Sequence, residues 1–219
     1  MKTRFLLLSI IVLAFLFSCN TDNSTNLMQG NPTYVTIGSY TWMVKNLDVD
    51  HYRNGDLIPQ ETDPEKWSIG GTGAWCYYNN DSANGVIYGK LYNFWAIRDP
   101  RGLAPKGWHI SSDSEWINLS DYLGANGLGG KLKEAGLNHW LSPNEGATNS
   151  SGFSALPGGC RGDDGRFIVL GTNGAWWTST IGNHPFLVWA WSLSYNSSEI
   201  LRSEIKYSAG YSVRCVKDR

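Results

Sequence analysis

The sequence predicts an α+β domain built on antiparallel sheets. Two short helical segments, residues 112–123 and 128–135, precede a run of short strands. The later segments alternate in period two between glycine turns. Nowhere do strand and helix signals alternate as a parallel, doubly wound sheet requires. Composition points the same way: 11 Trp, 11 Tyr and 25 Gly among 219 residues favour short elements and tight turns. Aromatic rings bury much area per residue, and glycine supplies backbone that other residues resist.

The elements follow in order. Residues 34–47 read as a hairpin, with Val35 and Ile37 alternating, a turn at Gly38-Ser39, and Tyr40, Trp42 and Val44 alternating again. Residues 51–59 form a loop around Asn54-Gly55-Asp56, and residues 75–78 a strand. Residues 79–85, rich in Asn and Asp, read as a turn. Tyr88, Leu91, Tyr92 and Trp95 share one face at helical spacing, so residues 88–97 are expected to be helical until Asp99-Pro100 stops them. Trp108-His109-Ile110 feeds the clearest helix, where Ser112 and Glu115 have capping-box spacing, Trp116, Leu119 and Leu123 face inward, and Gly124 ends the run. Gly136 closes the second helix. A polar loop spans 139–152. Strands are expected at 166–170, 175–179, 188–195 and 211–216.

The front of the chain is different in kind. Met1-Lys2-Thr3-Arg4 is basic, residues 5–17 are apolar, and Leu16-Phe17-Ser18-Cys19 resembles the lipobox of a bacterial lipoprotein signal. That resemblance implies cleavage before Cys19, acylation of Cys19, and a lipid anchor in the outer membrane, on its extracellular or periplasmic face. Residues 1–18 are then the signal peptide, 19–32 a polar tether, and 33–219 the folded domain. Removing Lys2 and Arg4 from 18 basic against 19 acidic side chains leaves a net charge of −3. That balance lacks the basic footprint of a nonspecific nucleic-acid binder.

A series of motifs carries a second resemblance. Tyr88-Gly-Lys-Leu-Tyr-Asn93, Leu103-Ala-Pro-Lys-Gly-Trp-His109, Ser112-Asp-Ser-Glu-Trp116 and Gly129-Gly-Lys-Leu-Lys-Glu134 come first. Ser151-Gly-Phe-Ser-Ala-Leu-Pro-Gly-Gly159, Trp176-Trp-Thr-Ser-Thr180 and Ser212-Val-Arg-Cys215 follow. In this order, from about Tyr34 to Asp218, the chain resembles the Fibrobacter succinogenes major paralogous domain family. The resemblance implies a C-type-lectin-like fold related to formylglycine-generating enzymes: two short helices, twisted antiparallel sheets and long Gly/Asn/Trp-rich loops. It carries no settled activity. Many members have a cysteine where Ala104 stands here, so the partner of Cys215 is open among Cys76, Cys160 and none.

The chemistry-bearing residues narrow the function. His51, His109, His139 and His184 form no zinc-ligand pattern, and no Gly-x-Ser-x-Gly elbow or P-loop occurs. No cofactor is expected. A structural calcium ion has candidate oxygen clusters at Asn79, Asn80, Asp81 and Asn84, and at Asp163-Asp164. Glycan recognition combines aromatic faces with amide and carboxylate groups. Trp140, Asn144, Trp177, Arg161 and Asp164 are the candidate ligand-binding residues. In Trp176-Trp177 the side chains point to opposite faces of a strand, so one is expected in the core and the other open, whereas Trp189 and Trp191 share a face and are both expected inside. The expected function is a lipid-anchored binding module for a glycan or a cell-surface protein. The alternatives are a structural or adhesive lipoprotein and, further off, a formylglycine-generating-like or carbohydrate-active enzyme.

Overall fold

Residues 34–124 and 126–219 are described by the computed structural model. The expected signal peptide, the expected tether and Cys19 lie outside the described residues. The chain opens with the expected hairpin, β1 (Tyr34–Ile37) and β2 (Tyr40–Met43), followed by α1 (Pro64–Ile69), β3 (Trp75–Cys76), α2 (Ser82–Tyr88), β4 (Leu91–Tyr92) and α3 (Phe94–Ile97). Next come β5 (Trp108–Ile110), α4 (Asp113–Leu123) and α5 (Leu128–Leu132). The C-terminal half is β6 (Cys160–Arg161), β7 (Phe167–Ile168), β8 (Asn173–Ile181), β9 (Leu187–Ser194), β10 (Ile200–Lys206), β11 (Ser212–Val213) and β12 (Cys215–Lys217).

The class is α+β, with five α-helices among the described residues rather than two. Three helices were hidden for local reasons. Asp63 caps α1 by accepting from the amides of Glu65 and Lys66, with Pro64 in the first turn, where its missing N–H costs nothing. Asp81 accepts from Ala83 N and turns the expected Asn-rich loop into the start of α2. The expected helix over 88–97 is in fact the end of α2, strand β4 and α3. Gly89, at φ +75°, ends α2, and the Asn93 side chain caps α3 by accepting from Ala96 N. The capping box at Ser112 and Glu115 forms as expected. Helix α5 stops at Leu132, three residues early, because Lys133 turns extended and inserts into the interior.

Two four-stranded sheets organise the domain, in the orders β1-β2-β12-β5 and β10-β9-β8-β11. The first is antiparallel throughout. The second is mixed, because Ser212 and Val213 of β11 run parallel to Trp176 and Trp177 of β8. Two ribbons, β3-β4 and β6-β7, complete the set. Only Arg214 separates β11 from β12, so the C-terminal segment passes directly from one sheet into the other.

The core is aromatic. Trp42, Trp116, Trp140, Trp176, Trp191 and Phe153 pack in one cluster, with Trp116 and Trp191 stacked at 5.9 Å and 11°. Trp177, Phe94 and Tyr92 belong to a second cluster and Trp67 and Tyr78 to a third. Both Trp176 and Trp177 are fully buried, because β8 is covered on both faces. Trp191 is buried as expected, but Trp189 is only half-buried and carries the Arg202 guanidinium 3.4 Å from its ring centre.

Among the described residues three buried cations are held by carbonyl oxygens with no carboxylate partner, whereas a fourth, Lys90, is paired with Asp48. The Lys133 ammonium donates to the carbonyls of Glu145 (2.8 Å), Ser194 (3.0 Å) and Ser197 (2.9 Å). Burial lowers its pKa to about 8. Arg161 donates to the carbonyls of Gly165, Glu61 and Thr62. Arg214 donates to Asn46 Oδ1 (2.7 Å) and to the carbonyls of Met43 (2.9 Å), Phe153 (2.8 Å) and Ser154 (3.2 Å). Burial lowers the Arg214 pKa to about 9, which leaves it charged at neutral pH. Removing such a cation strands several buried acceptors at once. Arg214→Leu is expected to lower unfolding free energy by roughly 3 kcal/mol or more, read as a fall in urea midpoint at unchanged slope. The exposed Arg166→Leu, which breaks only the surface pair with Asp164, should leave the midpoint nearly unmoved.

Candidate functional site

Nine of the eleven tryptophans are buried, so only Trp95 and Trp189 have faces to offer a ligand. Arg202 already covers Trp189. Trp95 instead lines a hollow of about 380 Å³ together with Phe186, Tyr207, Ile69, Ser68 and Ser208. Its indole lies where a Cβ on Gly70 would sit, at 2.2 Å, so glycine at that helix end lets the ring in. Phe186 is 72% exposed and stands edge-on to Tyr207 at 5.9 Å. It sits in the turn between β8 and β9 at φ +66°, a conformation that bulky side chains resist, and its carbonyl accepts from Tyr207 N at 3.1 Å. Strained residues of this kind persist where the surroundings hold them, and they gather at ligand clamps.

A second hollow, of about 430 Å³, adjoins the first. Its apolar wall includes Cys160, Ile168, Ile205 and Tyr211, and its polar groups are Asp163, Glu204 and Lys206. Leu187 and Lys206 line both hollows and are cross-strand partners between β9 and β10. The β6-β7 turn brings Asp163 into place: Gly162 N donates to Arg166 O at 2.7 Å, and Gly165, at φ +81°, passes so close to Pro64 that no Cβ would fit. Lys206 Nζ donates to Asp163 Oδ2 at 2.5 Å, which raises the lysine pKa. Glu204 accepts from Asn183 N and ties the β8-β9 turn to β10.

The predicted ligand-binding residues divide. Arg161 lines the second hollow, but its guanidinium is turned inward onto carbonyls and packed over Trp67 and Phe167. Asp164 lies in the same turn without lining the hollow; its neighbour Asp163 does. Hydrogen bonding from Arg166 lowers the Asp164 pKa. Trp177 has no open face. It donates to Tyr92 O and stacks behind Tyr211 at 4.8 Å, one ring below the hollow. Trp140 and Asn144 line neither hollow. Trp140 is buried and donates to Ala155 O, whereas Asn144 spends its amide on the carbonyls of Glu134 and Gly136 and leaves Oδ1 buried without a partner. Phe186, Trp95, Tyr207 and Lys206 are residues that sequence reasoning did not select, and Asp163 entered there only as a candidate calcium ligand.

The other candidate chemistry is placed as follows. Cys76, Cys160 and Cys215 are free and buried. Burial raises their thiol pKa values to about 12, 11 and 12. In the first oxygen cluster Asp81 caps α2, while the Asn80 and Asn84 amides donate to the carbonyls of Thr62 and Tyr78. Among the described residues no group of three His, Cys, Asp or Glu side chains is arranged to hold a metal ion.

The motifs expected of the family now sit on defined elements, and the chain matches the model of the Fibrobacter succinogenes major domain over residues 35–217. The chain belongs to that family. No curated protein and no solved structure matches it. The matched stretch runs from β1 to the end of β12, so every residue of both hollows lies within the Fibrobacter succinogenes major domain.

A third hollow of this domain, about 310 Å³, is lined by Tyr40, His109, Glu115, Lys217, Asp218 and Arg219, and its histidine is held between the two carboxylates. His109 Nε2 lies 2.8 Å from Glu115 Oε1, and Nδ1 lies 2.8 Å from Asp218 Oδ1. An ionised carboxylate only accepts, so the imidazolium form of the ring is the one that satisfies both contacts. Burial alone would lower its pKa; the bonds to Glu115 and Asp218 outweigh burial and raise it. In that form the ring joins the α4 cap to Asp218. Because the folded-state pKa is raised, this contribution is fully present below the ordinary histidine value and is lost as pH rises through the folded one. Wild type should therefore lose its stability advantage over His109→Gln as pH is raised from acid to mildly alkaline, as measured by urea unfolding across that range.

Proposed function

We propose that this domain is a binding module for glycans, held at the membrane by an acylated Cys19 and facing outward or into the periplasm. One observation carries the reading: Trp95, Phe186 and Tyr207 stand beside Lys206, Asp163 and Glu204 in two adjoining hollows. Sugar rings have apolar C–H faces that stack on aromatic rings and hydroxyls that bond to carboxylates and ammonium groups. The hollows have the size of small-ligand sites and are open to solvent. The long loops and paired sheets fit the C-type-lectin-like arrangement that the family resemblance implies. That arrangement supports the same reading by analogy of fold alone.

Phe186 contributes little to the core because it is largely exposed, so its loss separates recognition from folding. The unit Pro32–Arg219, which is compact on its own, is expected to bind saccharides on a broad glycan array, with and without calcium. Phe186→Ala should weaken that binding about tenfold. An empty array with a protein partner recovered in its place would move the reading to an adhesive role, and full binding by the variant would move the glycan site away from Phe186. For the anchor, mass spectrometry of the natural product is expected to find Cys19 as an acylated first residue. An unmodified Cys19 or an intact leader rejects the lipid tether.

A further inference from the structure

Resting on the glycan reading, we propose that the two hollows take an uncharged oligosaccharide chain laid across the Leu187–Lys206 pair, with one segment of the chain in each hollow. Continuity comes first. Leu187 and Lys206 are opposite one another in the β9-β10 register and belong to the walls of both hollows. The hollows therefore meet at this pair, and a ligand that crosses it can occupy both as one track. At about 430 and 380 Å³, each half has room for a sugar unit, and a ligand confined to one half leaves the other's surface uncovered.

The two halves differ in what they offer. The aromatic half presents Phe186 and the half-buried Trp95, backed by the buried ring of Tyr207, with the hydroxyls of Ser68 and Ser208, and its one ionic side chain is Lys206 on the divide. It is built for stacking. The other half presents the carboxylates of Asp163 and Glu204. It is built to accept hydrogen bonds from hydroxyl groups.

Charge then selects among sugars. The charged residues lining the track are Arg161, Asp163, Glu204 and Lys206. Arg161 is spent on three buried carbonyls, and Lys206 is paired with Asp163. Among the described residues that line the two hollows no cation is unpaired, while two carboxylates are present; the Arg98 guanidinium lies outside the lining, 5.9 Å from the Tyr207 ring. A uronate or sulfated sugar would meet both carboxylates and would have to displace Asp163 from Lys206. A hydroxyl group avoids that contest: it donates to the free lone pairs of either carboxylate and accepts from the N–H groups of Lys206 that Asp163 does not use.

The test uses the full chain in detergent, titrated calorimetrically with neutral gluco-, manno- and xylo-oligosaccharides from disaccharide to hexasaccharide and with oligogalacturonates of the same lengths. The expected result is a neutral series whose affinity rises at least about tenfold between the disaccharide and the longer chains, is insensitive to salt, and exceeds that for the uronates. Asp163→Asn removes an acceptor and frees Lys206. It should weaken the neutral chains and gain oligogalacturonate binding that salt suppresses, a gain that a misfolded variant would not show. Equal affinity for short and long chains overturns the two-hollow track. Tighter binding of uronates by wild type overturns the charge assignment and leaves the glycan reading standing. Binding of no saccharide of either kind overturns the glycan reading and this inference with it.

Discussion

The contacts of the Arg214 guanidinium join the parts of this domain. The residue occupies the single position between β11 and β12, where the chain leaves one sheet for the other. Its four acceptors belong to the end of β2, to Asn46 just beyond it, and to the loop at Phe153 and Ser154. Among the described residues no carboxylate neutralises it. Carbonyl dipoles and the face of Phe153, 4.4 Å away, replace the water it gives up. A buried charge held in this way allows few alternative packings, because any shift that frees one acceptor leaves both it and the cation unsatisfied.

The same solution recurs at Lys133 and Arg161, and it explains how loops this long are kept in place. Lys133 gathers the carbonyls of Glu145, Ser194 and Ser197, so the segment after α5 is fastened to the far end of β9. Arg161 gathers those of Glu61, Thr62 and Gly165 and fastens the β6 turn to the start of α1. Backbone groups in irregular segments have no ladder to satisfy them, and a buried cation serves several at once. The two adjoining hollows depend on this indirectly. Asp163 is positioned by a turn whose base is the Arg161 clamp, and Lys206 reaches it from the outermost strand of the second sheet.

What could be read from the sequence was local or motif-like. The first hairpin, the capping box at Ser112 and Glu115, the Gly124 stop and the family itself were legible because each is signalled by neighbouring residues or by ordered motifs. The segment from Tyr88 to Ile97 misled because its apolar spacing imitates a helix, while the deciding features were the positive φ of Gly89 and the cap at Asn93. Strand β10 was missed because Ile200-Leu-Arg-Ser-Glu-Ile-Lys206 carries charges on an edge position and lacks clean alternation. The site was less legible than the fold. Chain-local reasoning cannot separate an exposed aromatic from a buried one when the covering groups come from remote segments. Trp177 was selected and lies under Tyr211, while Phe186, in an unremarkable Asn-His-Pro-Phe turn, stands in the open. Arg161 was correctly placed at the hollow, yet its charge points the other way.

The order of strands in the first sheet has a consequence for biosynthesis. The final strand of the chain, β12, lies between β2 and β5 and is the partner of both. Neither neighbour has its hydrogen-bonding edge filled until Cys215–Lys217 have been made. A nascent domain of this design cannot close the first sheet early, since the keystone is the last of that sheet's four strands and its contacts span nearly the whole length of the domain. The β1-β2 hairpin thus waits with one side open for a partner encoded at the other end of the domain.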